Sequence, residues 1–228
     1  MTVVKAENVI KDYGLNNQTV HALRGVNLEF KNGEFAAIAG PSGSGKSTFL
    51  HLAGCLDVLT GGTMTVCGQD TGKMSGKDLA LLRRKNIGFI FQAYNLIPVL
   101  SVEENVSFPL TLLGIDKNEI RERTNKVISD VGLQGMEKRR PKEMSGGQQQ
   151  RVAIARALVK KPALIFADEP TANLDSAIGR EILELMLALN KSEGTTFVFS
   201  THDSMVMDYA RRLIRIRDGQ IESDETKG

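Results

Sequence analysis

A glycine-rich loop between a buried strand and a helix constrains this chain of 228 residues more than any other feature. The apolar run FAAIAG ends at residue 40, and the loop that follows, GPSGSGKS at residues 40–47, matches the pattern G-x-x-x-x-G-K-[ST]. Glycines let the backbone wrap tightly enough for several amide groups to face one anion. The strand before the loop and the helix after it therefore predict a phosphate-binding loop at the carboxyl edge of a sheet.

The residues of this loop have distinct roles in phosphate binding. Gly40, Gly43 and Gly45 allow the amides to point at a β-phosphate, Lys46 reaches the β- and γ-phosphates, and the Ser47 hydroxyl can ligate Mg²⁺. The predicted binding segment comprises Gly40, Pro41, Ser42, Gly43, Ser44, Gly45, Lys46 and Ser47. The alternative is a turn rich in glycine and serine that binds nothing. It does not explain why a buried strand and a helix flank the loop.

Strands and helices alternate along most of the chain. This alternation predicts an α/β fold whose strands pair in parallel through right-handed crossovers. Residues 102–160 differ, because they contain helical patterns and almost no strand signal, so we expect a helical insertion there. The run RLIRIRDGQIE predicts a closing hairpin, and the polar tail ESDETKG is expected to be disordered.

Composition limits the partners and the location of the chain. Lys and Arg number 29 and Asp and Glu number 27, a formal charge of +2, so we expect no nucleic-acid partner. The sequence has no apolar run of about 18 residues and no export signal at its start, so we expect it neither to cross a membrane nor to be exported. Cys55 and Cys67 fit neither a paired-thiol motif nor a metal site, which favours two small buried residues in a reducing compartment.

Two acidic residues follow a second apolar run, LIFADE at residues 164–169. Carboxylates at the carboxyl end of a buried strand lie where ligands of parallel sheets bind. Asp168 is then expected to hold the Mg²⁺ shell, and Glu169 to act as the general base that polarises the attacking water. Taken alone, the pair also fits a helix N-terminus or a solvated turn. Together with the phosphate loop it indicates a nucleotide site.

Two more polar residues end apolar strands. His202 follows FVFST and could bond both the γ-phosphate and the attacking water, while Gln92 follows IGFIF and could offer its amide oxygen to Mg²⁺ or water. The other histidines, His21 and His51, lack that position. A lone histidine is more often structural than catalytic. The prediction for His202 therefore depends on its position at the edge of the sheet where ligands bind.

The stretch MSGGQQQRVAIARAL, residues 144–158, predicts a second anion grip. Ser145 is a good N-cap, and Gly146 and Gly147 leave the amides of the first helical turn uncovered. Gln148, Gln149 and Gln150 form the first turn of the helix that follows, and only Gln148 is expected near nucleotide. One chain thus contains two phosphate grips.

These motifs, in this order and spacing, resemble the nucleotide-binding subunits of ATP-binding-cassette (ABC) transporters over residues 1–222. We therefore predict a single ATPase domain at residues 1–222, followed by a disordered tail at residues 223–228. The resemblance implies a P-loop fold with a RecA-like core, an antiparallel β-subdomain and a helical subdomain at about 95–160 that carries the signature SGGQQQ. It also implies the roles of further residues. Tyr13 is similar to the aromatic residue that stacks on adenine, and the segment from Ser42 through Thr48 is similar to the phosphate-binding segment. Gln92 resembles the Mg²⁺-sensing glutamine, and His202 resembles the switch histidine. Asp175 resembles the aspartate that crosses between subunits.

The resemblance also answers why two grips occur in one chain. It implies that Ser145, Gly146 and Gly147 close over the ATP of a second copy, so that a head-to-tail homodimer encloses two ATP molecules with Mg²⁺. The expected activity is ATP hydrolysis coupled to a membrane permease, with the chain on the cytoplasmic, inner face of the membrane.

Within the family, the text around AYNLIPVLSVEENVSFPL and FADEPTANLD is similar to the group for lipoprotein release, macrolide export and antimicrobial-peptide resistance. The uncharged stretch beside Gln92, up to Leu100, is a candidate docking groove for the permease, although Tyr94, Leu96 and Ile97 could equally be core residues. A non-transport ATPase of the cell-division type remains the alternative function. The sequence does not indicate the transported substrate.

Overall fold

The computed structural model describes residues 1–15 and 18–227, which form ten strands, seven helices and two short 3₁₀ turns. The strands are β1 Thr2–Leu15, β2 Gln18–Lys31, β3 Phe35–Ala39, β4 Gly61–Val66, β5 Gln69–Asp70, β6 Ile87–Phe91, β7 Leu164–Asp168, β8 Thr196–Thr201, β9 Arg212–Arg217 and β10 Gln220–Thr226. The helices are α1 Lys46–Ala53, α2 Gly76–Asn86, α3 Val102–Leu112, α4 Lys117–Asp130, α5 Gly146–Leu158, α6 Ser176–Glu193 and α7 Ser204–Tyr209.

The central sheet has six strands in the order β10-β9-β3-β8-β7-β6. Its strands from β9 to β6 run parallel, and β10 pairs antiparallel with β9. All five residues of β3 are buried, and they alternate between two hydrophobic cores. Phe35, Ala37 and Ala39 face the core under the helices, whereas Ala36 and Ile38 face the second core. This alternation explains why a continuous apolar run forms a strand covered on both faces.

A smaller antiparallel sheet packs over the second core, with the order β2-β1-β4-β5. Val4, Leu23, Phe30 and Met64 from this sheet are fully buried together with Phe49 of α1. The two sheets therefore enclose α1, the helix that follows the phosphate loop.

Helices occupy residues 102–158 as predicted, and this stretch of the described chain contains no strand. Helices α3, α4 and α5 contribute Val106, Ile128 and Ile154 to the first core. Ser101 and Glu104 form a capping box at the start of α3, and Ser145 and Gln148 form another at the start of α5. The predicted N-cap role of Ser145 is thus confirmed. Of the residues that the structure covers, none belongs to a helix long and apolar enough to cross a membrane.

The disorder expected for residues 223–228 was wrong for most of that tail. Strand β10 continues to Thr226 and pairs with β9 in antiparallel register. Arg212 of β9 explains the order, because its guanidinium donates to both carboxylate oxygens of Asp224, at 2.8 and 2.6 Å, and to Glu34 at 2.8 Å. Polar composition predicted disorder, but a bidentate ion pair holds this edge strand. Gly228 lies outside the described residues.

A buried asparagine organises the loop before α3. Asn105 is fully buried; its Oδ1 accepts from the amide of Ile97 at 2.8 Å, and its Nδ2 donates to the carbonyls of Ile97, Leu100 and Ser101. The loop runs beside Gln92, so this one side chain shapes the predicted docking stretch.

Replacing Asn105 by Leu leaves those backbone groups without their partner. We expect the free energy of unfolding to fall by about 2 kcal/mol or more, because buried unpaired polar groups each cost about 1–3 kcal/mol. Urea denaturation measures this change. Asn118→Ala, at an exposed position on α4, is the control and should change stability by less than about 0.5 kcal/mol. Equal stability of the two variants would contradict the role of Asn105.

Candidate functional site

The phosphate loop connects the end of β3 to α1 in the conformation that the motif requires. Gly45 has φ 104°, and a Cβ added there would lie 2.6 Å from the carbonyl oxygen of Ala22 on β2. Only glycine allows this close approach. Lys46 folds back over the loop, and its Nζ donates to the carbonyls of Gly40 and Pro41 at 2.8 and 2.9 Å. A third ammonium hydrogen remains to face an anion.

The acid-ended strand meets the phosphate loop through one hydrogen bond. Strands β3 and β7 are separated only by β8, so their carboxyl ends lie at the same edge of the sheet. There the Ser47 hydroxyl donates to Oδ1 of Asp168 at 3.2 Å. This contact places a hydroxyl and a carboxylate oxygen side by side.

Glu169 and His202 form the second contact of the site. His202 Nδ1 lies 2.6 Å from Oε1 of Glu169, and the Thr201 hydroxyl donates to Oε2 at 3.3 Å. The Glu169 side chain is 16% exposed and that of His202 is 71% exposed. Two neighbours thus orient the carboxylate while the imidazole remains accessible.

The backbone of Glu169 is strained. Its φ of 46° lies in the left-handed region, which a residue with a Cβ rarely adopts. Its amide donates to the Ser200 carbonyl at 2.9 Å, so β8 helps to hold the conformation. Strain of this kind costs about 1–3 kcal/mol and clusters at functional sites.

These residues surround one cleft of about 610 Å³. Its lining consists of Val20, His21, Ala22, Pro41, Ser42, Gly43, Ser44, Gly45, Lys46, Ser47, Thr48, Gln92, Asp168, Glu169 and His202. The structure therefore brings together most of the predicted nucleotide residues, with exposed Gln92 at the strand end next to the acids.

Sequence reasoning missed the contribution of β2 to this cleft. His21 lines it, and its Nδ1 lies 2.8 Å from Oδ1 of Asp12, the residue opposite on β1. His21 does not end an apolar strand, and only the cross-strand register of β1 and β2 could have indicated its place.

The cleft fits a phosphate group and Mg²⁺. Ser44 Oγ is buried, and the described part of the protein provides it no hydrogen-bond partner. No group of three or more His, Cys, Asp or Glu side chains in residues 1–15 and 18–227 could hold a metal ion alone. Mg²⁺ needs no such cluster, because it keeps waters and phosphate oxygens and takes few protein ligands. The adjacent oxygens of Ser47 and Asp168 match that preference.

Tyr13, which the resemblance placed against adenine, lies beside the cleft on β1. Its hydroxyl donates to Oδ2 of Asp57 at 2.8 Å, and Lys11 Nζ lies 4.6 Å from the ring centroid. Burial and the hydrogen bond to Asp57 raise the pKa of the Tyr13 phenol. Its cross-strand partner Val20 lines the cleft, but stacking of Tyr13 on a base stays a prediction.

The second grip lies apart from the cleft. Ser145 accepts from the amide of Gln148, and the Gln148 side chain accepts from the amide of Ser145. A Cβ on Gly147 would lie 2.6 Å from Cγ2 of Ile178, so glycine is needed where α5 meets α6. Neither these residues, nor Gly146, nor Asp175, which caps α6, lines the cleft around Lys46.

The predicted docking stretch is partly buried. Tyr94 and Ile97 are partly exposed, Leu96 packs against the first core, and Val99 is 69% exposed. Beside this stretch lies a separate groove of about 520 Å³ between α2, β6 and α5.

Comparisons with known proteins agree with this geometry. The family profile described as ABC transporter matches residues 23–172. An uncharacterized ABC transporter ATP-binding protein of Thermotoga maritima is 46% identical over 226 residues, 99% of this chain and 96% of that protein. The macrolide export ATP-binding/permease protein MacB of Neisseria gonorrhoeae is 43% identical over 227 residues, and the chain spans only 35% of its length.

Solved structures give the same result. The dimeric ATP-binding cassette MJ0796, in a post-hydrolysis state bound to ADP and Pi, matches with a TM-score of 0.89 and 43% identity over 98% of both chains. The cbiO1 protein of Clostridium perfringens, part of an ABC transporter complex, matches with a TM-score of 0.88 and 31% identity, covering 99% of this chain and 88% of cbiO1. The predicted cassette fold is confirmed. Since the sequence matches extend across the whole chain, the protein belongs to the ABC transporter family and is one of its ATP-binding proteins.

Proposed function

We propose that this protein binds ATP with Mg²⁺ in the cleft and hydrolyses it as a homodimer, and that hydrolysis drives a separate membrane permease for export or for extrusion of lipoproteins or peptides. The contact between Glu169 and His202, beside the phosphate loop, is the observation that carries the proposal. In this proposal residues 1–222 act as one ATPase domain at the cytoplasmic face of the membrane, held there by the permease.

The residues of the cleft divide the chemistry among them. Lys46 and the loop amides bind the β- and γ-phosphates, and Ser47, Asp168 and Gln92 would hold Mg²⁺, which would supply positive charge against the phosphates. Glu169 is oriented by His202 and Thr201, so its carboxylate is ready to accept a proton from a water molecule in line with the γ-phosphate. His202 bonds Glu169 through Nδ1, which leaves Nε2 to face the γ-phosphate and this water. Such positioning supplies most of the catalysis in phosphoryl transfer.

A second copy completes the site in this proposal. The signature residues 145–148 lie apart from the cleft of their own chain, although Ser145 is exposed at a helix N-terminus suited to an anion. A head-to-tail pair places them over the γ-phosphate of the partner's ATP, with Asp175 between the subunits. The dimeric state of MJ0796 supports this arrangement.

The groove beside residues 92–100 suits a docking segment of the permease. Apolar residues and four cations line it, and none of the described residues that line it is acidic. We therefore propose that the permease segment that binds in this groove is apolar and carries carboxylates. The cations are Arg83, Arg84, Arg156 and Lys160. The similarity to MacB, which combines ATP-binding and permease functions by name, supports a permease partner.

Replacing Glu169 by Gln removes the base but keeps its shape. We expect turnover to fall at least about 100-fold and a dimer with trapped ATP to appear on gel filtration, because ATP still binds. Lys46→Ala is the control, and it should lose ATP binding in calorimetry and form no dimer. A Glu169→Gln protein that stays monomeric with ATP and Mg²⁺ and turns over at the wild-type rate would show that Glu169 is not the base.

A bulky cation in the signature tests the shared site. Ser145→Arg should leave ATP binding by the monomer nearly unchanged but abolish hydrolysis, because the partner's ATP can no longer be enclosed. Calorimetry and a phosphate-release assay separate the two effects. Ser192→Arg, at an exposed position in the last turn of α6, should keep wild-type turnover. Full activity of Ser145→Arg would argue against a site shared between copies.

Lys160, which lines this groove, should make the stability of the protein depend on pH. Its Nζ donates to the carbonyls of Arg83 and Arg84 in the last turn of α2, and burial, together with the charge of Arg83, lowers its pKa from 10.5 to about 8. Between these values the unfolded chain binds more protons than the folded one, so stability should rise with pH.

The difference in unfolding free energy between wild type and Lys160→Met isolates this contribution. As the pH rises from 7.5 to 9.5, we expect the free energy of unfolding of wild type to increase relative to that of Lys160→Met, by at most about 1.4 kcal/mol per pH unit. Urea denaturation at both pH values measures it. Lys142→Met, at an exposed position, is the control and should show no such shift. A difference that stays constant with pH would contradict the lowered pKa.

A further inference from the structure

The third glutamine of the signature is buried and makes none of the nucleotide contacts proposed above. Gln150 lies on α5 and is fully buried. Its Nε2 donates to the carbonyl of Pro170, the residue directly after Glu169. Its Oε1 is also buried and has no hydrogen-bond partner in the described part of the protein. An unpaired buried acceptor is destabilising, so an apolar residue would suit the core better unless the donor is needed.

The orientation of this amide follows from its surroundings. The flipped orientation would place Oε1 against the Pro170 carbonyl, where two acceptors repel each other. Proline has no N–H, so its carbonyl is the only backbone group that Pro170 can offer. The bond from Gln150 therefore holds the peptide group between Pro170 and Thr171, one residue beyond the strained Glu169.

The segment from Glu169 to Asn173 is held at several points. The amide of Glu169 bonds the Ser200 carbonyl on β8, and Gln150 bonds the carbonyl of the next residue from the opposite element, α5. Asn173 Nδ2 also donates to the carbonyl of Gln92 at 2.9 Å. Because the left-handed φ of Glu169 is unfavourable by itself, contacts on both sides are needed to maintain it.

We infer that Gln150 is a positioning residue for hydrolysis, which holds Glu169 in its catalytic orientation through the carbonyl of Pro170. The inference rests on the proposed role of Glu169 as the base. Gln150 does not touch substrate, because its buried amide reaches only the backbone behind Glu169. Loss of the donor should therefore lower kcat and leave ATP binding and KM nearly unchanged.

Gln150→Met tests this, because methionine keeps the volume and removes both the donor and the unpaired acceptor. We expect kcat to fall about 10- to 100-fold, since a misplaced catalytic group costs up to about 100-fold in rate. The dissociation constant for ATP should change less than about twofold, and urea denaturation should show a folded protein with a stability near that of wild type, because removal of the unpaired acceptor offsets the Pro170 carbonyl that loses its donor. Gln134→Met is the matched control, because Gln134 lies in the same helical region, is exposed and donates instead to the Ser129 hydroxyl at 2.6 Å; its kcat should equal that of wild type.

The double variant Gln150→Met with Glu169→Gln distinguishes positioning from a general structural effect. If Gln150 acts through Glu169, the double variant should turn over at the rate of Glu169→Gln alone. Multiplicative losses would overturn the inference, and so would a wild-type kcat in Gln150→Met. Should Gln150→Met not fold, Gln150→Leu carries the same comparison, because leucine also removes both the donor and the unpaired acceptor. Wild-type turnover by Glu169→Gln would instead refute the proposed base, whatever Gln150 does.

Discussion

The parallel pairing of β3, β8 and β7 is the constraint on which the site depends. Strand β8 lies between the strand that leads into the phosphate loop and the strand that ends in the acids. Its own end, Thr201 and His202, therefore lies between the loop and the acids and contacts Glu169 from there. Three separate sequence segments meet because the backbone ladder aligns their ends.

Much of this arrangement could be predicted because its signals are local. The loop at 40–47, the strand ends at Asp168 and Gln92 and the N-cap at Ser145 each depend on residues adjacent in sequence. The place of His21 could not be predicted in this way, since it depends on the register between β1 and β2. The tail is held by its pairing with β9 and by the ion pair between Arg212 and Asp224, and composition alone reveals neither contact.

The side chains of the three glutamines show the same difference between contacts that are local in sequence and contacts that are not. Gln148 completes a capping box, and its spacing from Ser145 in the sequence predicts this contact. Gln149 donates to Met144 nearby, whereas Gln150 reaches Pro170, 20 residues further along the chain. A polar residue in the buried stripe of a helix indicates a specific partner, but only the tertiary structure identifies that partner.

The segment after β7 has a wider consequence for how the molecule can move. It is bonded to α5 through Pro170, to Gln92, the residue after β6, through Asn173, and to Asp203, the N-cap of α7, through Thr171. The helical region, the end of β6 and the start of α7 therefore all contact one short stretch of backbone that begins at Glu169. In the proposed mechanism, a rotation of the helical region against the sheet would alter the geometry around Glu169, which would link mechanical displacement to the rate of ATP cleavage within a single chain.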